Sequence, residues 1–507
     1  MKKITIKSSV GLVLLSLLLA GILPSCRKDF LDRNPQGQYD SGTYPYPSGS
    51  GPFDQYIFGA YAALRKGGVA AFAFVGQTSI RSDDADKGST SADGPTQIEM
   101  DNFPVTPTNG LVNESWKDYY DAIARCNDVL KQVSEDTRPS SAPFKEQARA
   151  EARFIRGYCY FMMVRLWGGV PKIDTVYATP PNLARATPAE IYTLIESDLQ
   201  FAAANLPQRW DNKFIGRVTS GAAWGLLAKV YLTQQKWGPA MGAAQTVITS
   251  GVYNLNTPYR DIFSEIGENS SESLFEIQAY ADASNPDGTA FGVQYTNVQG
   301  VRGTGQWDLG WGFNVPSTYL EAAFEAGDPR KERTILYAGE TTYYNETLPA
   351  ALPNPRYNEK VYTNPAVRGT VNNRFGWWMN VRMLRYADVL LMYAEAANEL
   401  GGAANTTEAL AKLEMVRARA RAGNNAILPP VTTTVQATLR TAIRQERRVE
   451  LAMEHDRFFD LVRWGIAAST LQSSGRPNFN AARDQVLPIP QEQIDISGGR
   501  LIQNPNY

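Results

Sequence analysis

Trp224, Leu227, Ala228 and Tyr231 are followed, across a Lys236-Trp237-Gly238-Pro239 turn, by Ala240 and Ala244. This is the pattern that most constrains the fold. Large and small residues at these spacings let two antiparallel helices interlock, as they do in tetratricopeptide units. One such match is also what an ordinary core helix pair produces, but a second pair follows. Residues 386–396 carry an apolar helical pattern and Gly401-Gly402 ends it. A partner helix opens at Thr407, Ala409 and Ala411 and runs to about Arg421. Such pairs cannot bury their apolar faces alone, so they stack into a superhelix.

Other segments read as helices too. Glu114 to Glu135 sets Trp116, Tyr119, Tyr120, Ile123 and Val129/Leu130 on one face. Phe144 to Trp167 stops at Gly168-Gly169, with Pro171 just beyond. Thr187-Pro188-Ala189-Glu190 is a capping-box start. Phe53 to Lys66 and Val435 to Glu454 complete the set. The expected fold is all-α dominated, with tetratricopeptide-like helix pairs forming a superhelical scaffold. Residues 251–380 break the pattern. They are rich in Gly, Pro, Asn and aromatics and are expected to form a loop-rich excursion carrying short strands. Irregular surface on a rigid scaffold is where recognition tends to sit.

The chain begins with Lys2, Lys3 and Lys7, then an apolar run from Val10 to Leu23, then Pro24-Ser25-Cys26. This is the anatomy of a secretory signal, too short for a comfortable membrane span. Cysteine directly after small residues matches a lipoprotein box, with residues 1–25 removed and Cys26 lipidated; the alternative is a secreted protein with an incidental cysteine. Each buried acyl methylene contributes roughly 0.8 kcal/mol, so several chains anchor a protein almost permanently. Residues 26–52 read as a Pro/Gly/Ser-rich tether.

A net charge of −1 offers no electrostatic case for nucleic acid. Of the remaining cysteines, Cys126 and Cys159 fit two buried thiols better than a disulfide, and without a CxxC no zinc site is expected. No cofactor is called for. The one histidine, His455, reads as a surface or helix-end imidazole. With no G-x-S-x-G, a Ser-His-Asp hydrolase has little support.

Three constellations could carry chemistry. Glu446, Glu450 and Glu454 alternate with Arg444, Arg447 and Arg448 and read as a helix face laced with ion pairs, extended by Arg457, Asp460 and Arg463. Arg81, Asp83 and Asp84, with Asp86, form an acidic loop cluster. No EF-hand register fits it, since no suitably spaced Glu follows, which leaves sugar-hydroxyl binding, a glycosidase acid pair or turn capping. Trp307-Asp308-Leu309-Gly310-Trp311-Gly312-Phe313 places aromatic rings among glycines. Flat rings can stack on the C–H faces of sugars, or they can fill a loop core. Tyr295 and Trp307 lead as platforms, with Trp311 and Phe313 beside them; Trp377-Trp378 reads as core.

Four segments together resemble the SusD/RagB family of outer-membrane nutrient-uptake lipoproteins. They are Ser25-Cys26 through Pro35, Leu384 to Ala396, Ile443 to Gly465, and Leu487 to Asp495 with Gln503 to Tyr507. The resemblance spans the mature chain end to end. It implies about four tetratricopeptide-like pairs, with SusD-like helical regions at 53–250 and 381–507 flanking a ligand-facing region at 251–380. It also implies an outer-membrane lipid anchor, a SusC-like TonB-dependent transporter as partner, and a non-catalytic role in capturing oligosaccharide. The alternatives are the same lid role for peptides or other nutrients, and a surface-anchored glycoside hydrolase.

Overall fold

The computed structural model describes residues 49, 51–179, 181–284, 290–371 and 375–507. Cys26, the signal segment and most of the tether lie outside these residues. The scaffold is a succession of helices: α1 (Asp54–Ala63), α2 (Gly110–Glu135), α3 (Lys145–Trp167), α4 (Pro188–Asn205), α5 (Ser220–Thr233), α6 (Trp237–Thr249), α7 (Tyr386–Leu400), α8 (Ala403–Arg421) and α9 (Gln436–Glu450). Each packs on its successor from α1 to α8, and α9 lies against α7. Both helix pairs legible in the sequence, α5 with α6 and α7 with α8, are formed.

Local chemistry sets the ends. Thr187 and Glu190 make both bonds of a capping box at α4, and Asn109 caps α2 by accepting from Leu111 N–H. Gly168, at φ 72°, ends α3 in a conformation that costs an L side chain strain. Helix α7 is buried on nearly every side because it sits between α6, α8 and α9; its sequence is mostly apolar, and its buried Asp388 and Glu395 are paired with Lys229 and Arg463.

Contact between α6 and α7 passes over residues 250–385, which leave the scaffold and return to it. This excursion is loop-rich, as expected. The short strands are β1 (Ala85–Gly88), β2 (Ser273–Ile277), β3 (Phe313–Pro316), β4 (Ile335–Tyr337), β5 (Arg356–Asn358) and β6 (Val381–Arg385). They pair antiparallel as β1–β3, β2–β6 and β4–β5. A satellite core of Val301, Leu309, Leu336, Leu348, Tyr357 and Tyr362 lies under the excursion, separate from the main helical core.

The charged face of α9 turns inward. Glu446 and Glu450 accept from Arg330 at 2.6 and 3.1 Å, Glu450 and Glu454 from Arg385 at 3.0 and 2.7 Å, and Arg419 bonds Glu272 at 2.7 Å. These are pairs between elements, not i,i+4 pairs along one helix, and they pin the excursion to the scaffold. Arg447 and Arg463 meet at Asp460, at 2.7 and 2.8 Å. His455 also differs from expectation. It is buried at φ 73°, with Nε2 2.6 Å from Tyr295 Oη and Nδ1 3.1 Å from Thr78 Oγ1. Burial lowers its pKa to about 4, so it is neutral in the folded protein near pH 7. Cys126 and Cys159 are free and buried, and burial pushes both thiols up.

Candidate functional site

The excursion reaches the short helix Phe72–Val75, on which Tyr295–Gln299 packs. From there the chain makes a tight loop. Leu309 N–H donates to Val301 O at 2.9 Å, and Trp311 N–H to Asn297 O at 2.7 Å. Gly310 is required, because a Cβ there would come 2.6 Å from Asn297 O. Gly312, at φ 71°, would press a Cβ to 2.8 Å from Arg302 Cβ. Glycine at these positions lets the backbone close and turns the Trp311 ring outward.

Trp311 as a residue is 36 % exposed, a large value for tryptophan. It meets the half-buried Phe72 edge-on, with centroids 5.6 Å apart and planes at 88°. Phe72 in turn meets Phe313 at 5.2 Å and 68°. Phe313 is itself buried and backs the other two from β3. Edge-to-face contacts hold rings rigidly while leaving a face open. Around them lies a polar rim. Arg302 donates to Ser89 Oγ at 2.7 Å and pairs with Asp93. Lys87 Nζ bonds Thr90 O and Asp93 O at 2.7 and 2.9 Å. Bonds from Thr90 and Ser89, aided by Arg302, hold the Asp93 carboxyl below the usual carboxylate range. Trp307 stands on the turn Gly305–Trp307, half-buried against the satellite core.

Several candidates are placed elsewhere. Tyr295 is a core residue engaged with His455, and burial pushes its phenol up; it is no platform. The Arg81, Asp83 and Asp84 cluster is buried and belongs to the fold. Arg457 Nε bonds Asp83 at 2.8 Å, and Arg448 Nη2 lies 2.6 Å from Asp84. Burial pushes the Asp84 carboxyl up; Arg457 overrides burial at Asp83 and holds it low. Arg81 lies with its guanidinium 4.1 Å from the Phe458 ring centroid and donates to Asp484 O at 2.6 Å. Trp378 is buried, as expected, and Trp377 half-buried. Among the described residues no group of three or more His, Cys, Asp or Glu could hold a metal ion.

Phe72 escaped the sequence reading, since 69–75 is an unbroken apolar run that reads as core. Arg302, Lys87 and Asp93 carried no signal, because their meeting depends on β1 pairing with β3.

A stacked-helix scaffold with a long inserted excursion that exposes an aromatic patch defines the class: a tetratricopeptide-like helical-repeat protein. Two family profiles match it. One, described as the SusD family, covers residues 271–507, and one described as "Starch-binding associating with outer membrane" covers residues 30–232. The chain belongs to the SusD/RagB family. SusD-like protein P2 of Formosa agariphila is 29% identical over 84% of this chain and 87% of its own length. A SusD-like protein of Bacteroides ovatus is 27% identical over 91% and 83%. Among solved structures, a laminarin binding SusD-like protein superposes with a TM-score of 0.74 at 29% identity, covering 90% of this chain and 99% of its own. Surface glycan-binding protein A of Bacteroides thetaiotaomicron, in complex with laminarihexaose, superposes with a TM-score of 0.75 at 26% identity over 90% and 99%.

Proposed function

We propose that this protein is a non-catalytic, lipid-anchored capture protein of the outer membrane, binding oligosaccharide on the Trp311–Phe72 surface. The observation that carries the reading is the exposed Trp311 ring, fixed edge-on to Phe72 and bordered by Arg302 and Asp93. An oxygen-rich ring sugar offers an apolar C–H face to an aromatic plane and hydroxyls to the polar rim, so one surface answers both halves of the ligand. The relatives named for laminarin and laminarihexaose support this ligand class, and Trp307 on the same loop is a further contact. Cys26 carries the anchor, and the captured oligomer passes to a SusC-like TonB-dependent transporter.

Laminarihexaose is the first ligand to test. Trp311→Ala removes an exposed aromatic anchor, worth about 2 kcal/mol or roughly 30-fold in Kd, with the melting temperature unchanged. Calorimetric titration reads the affinity and a reducing-end assay reads cleavage. Unchanged affinity in the variant, or release of new reducing ends by the wild type, overturns the reading. Cys26→Ala should shift the protein out of the outer-membrane fraction, and a co-purifying barrel should be lost with it.

A further inference from the structure

A cleft of about 410 Å³ lies between the α4–α5 connection, the segment after α6 and the residues leading into β2. Its lining shares no residue with the Trp311 surface. Its volume falls within the about 300–1,000 Å³ typical of small-ligand sites.

The cleft combines fixed rings and neutral amides and hydroxyls with three charged side chains, Arg209, Arg217 and Glu276. Trp210 is half-buried. It donates Nε1–H to Val218 O at 2.8 Å, and the Arg217 guanidinium sits 4.3 Å from its ring centroid. Tyr253 is held by a 2.7 Å bond between its hydroxyl and Thr219 Oγ1, and it closes over Gly221, where a Cβ would come 2.4 Å from the ring. Both rings are therefore locked before any ligand arrives, which lowers the entropic cost of binding. Asn212, at the exposed mouth, brings an amide that both donates and accepts, as a sugar hydroxyl does; Asn254 Oδ1 already accepts from Asn256 N–H at 3.0 Å and Ser271 Oγ at 2.8 Å, so Asn254 contributes its Nδ2 donor.

Two of the three formal charges in the walls are engaged within the protein, and the third, Arg209, lies exposed at the rim and bonds Val252 O at 3.3 Å. Arg217 pairs with Glu151 at 2.6 Å and Asp54 at 3.0 Å. Glu276 accepts from Asn380 Nδ2 at 2.8 Å and Asn269 N–H at 3.1 Å. Apart from Arg209 at the rim, the wall offers no unpaired charge to select an ion. It suits a small, neutral ring compound with hydroxyls on its edge and C–H groups on its face.

We propose that this cleft is a second carbohydrate site, sized for a mono- or disaccharide, with Trp210 as its aromatic wall and Asn212 and Asn254 as hydrogen-bonding partners. The ligand class follows from the lining itself, so the assignment stands apart from the Trp311 surface.

The test uses the mature chain carrying Trp311→Ala, titrated with laminaribiose and, separately, glucose while indole N–H resonances are followed by NMR. The Trp210 signal is identified by its loss in Trp210→Phe or, should that variant not fold, by its through-space contact with Val218. The expected result is a saturable shift of the Trp210 signal. Asn212→Trp, which fills the mouth, should abolish that shift, and Asn254→Ala should weaken binding by roughly tenfold. A Trp210 signal unmoved by either sugar, or a shift that survives Asn212→Trp, overturns the proposal. The two sites fail separately: in the wild type, an unmoved Trp311 resonance under laminarihexaose counts against the first surface alone.

Discussion

Glu450 receives Arg330, Arg385 and Arg419 in the interior. Burial alone would raise its carboxyl; Arg419, Arg385 and Arg330 override that and hold it far below the usual carboxylate range. Removing one partner of such a group strands the others' charge out of water, and Glu450→Gln should cost about 3–5 kcal/mol in urea unfolding. A loss under about 1 kcal/mol would mean that Glu446 and Glu454 absorb the stranded charge. His455 acts with the opposite chemistry. Its folded pKa, about 4, lies below the ordinary imidazole value of 6.5, so the unfolded chain takes up a proton that the folded one refuses. Stability attributable to this neutral imidazole is therefore full above about pH 6.5 and falls as pH drops toward 4, by roughly 3 kcal/mol in all. His455→Asn, whose side chain tolerates the positive φ, should flatten the stability profile between those pH values relative to wild type. An unchanged slope would place the acid sensitivity in the carboxylate network instead.

At the scale of elements, the loop that presents Trp311 depends on glycine where the backbone nearly touches itself. Gly310→Ala sets a methyl against Asn297 O, and only a shift of the loop can relieve it. The variant should lose oligosaccharide affinity by tenfold or more while global stability falls by about 1–3 kcal/mol. Retained affinity would show that the loop adapts without moving the ring. The helices were legible in the sequence because an amphipathic period of 3.6 is a local property, as are the Thr187–Glu190 cap and the Gly168 stop. The excursion was legible only as an interruption. Asp83 and Asp84 looked like solvent-facing loop acids because their partners, Arg448 and Arg457, lie far along the chain. Tyr295 looked like a platform because nothing local announces His455 beside it. Trp311 was visible as an aromatic among glycines, but Phe72, which fixes its angle, was not. Pairings over such sequence distances exist only once the scaffold has closed.

That closure is made by the far end of the chain. Leu487 N–H donates to Leu166 O at 2.6 Å and Gln491 N–H to Pro107 O at 2.9 Å, so the closing segment lies against α3 and the approach to α2. Asn504 is the clasp. Its amide donates to Trp167 O at 3.1 Å and Leu487 O at 2.7 Å, and its Oδ1 accepts from Arg185 at 2.6 Å. Trp167 is the last residue of α3, so one buried side chain satisfies a helix-end carbonyl, the closing segment and the α3–α4 connection together. Replacing it with leucine keeps the bulk, leaves Leu487 O without this donor and Trp167 O with Arg185 Nη2 at 3.1 Å, and costs about 1–3 kcal/mol for each buried group left unmade. Because the contacts join the closing segment to α3 and the α3–α4 connection, the loss should lower one cooperative transition in calorimetry rather than release a separate early one. A distinct low-temperature transition in Asn504→Leu would instead mean that the N-terminal helices fold as a unit independent of the segment that covers them.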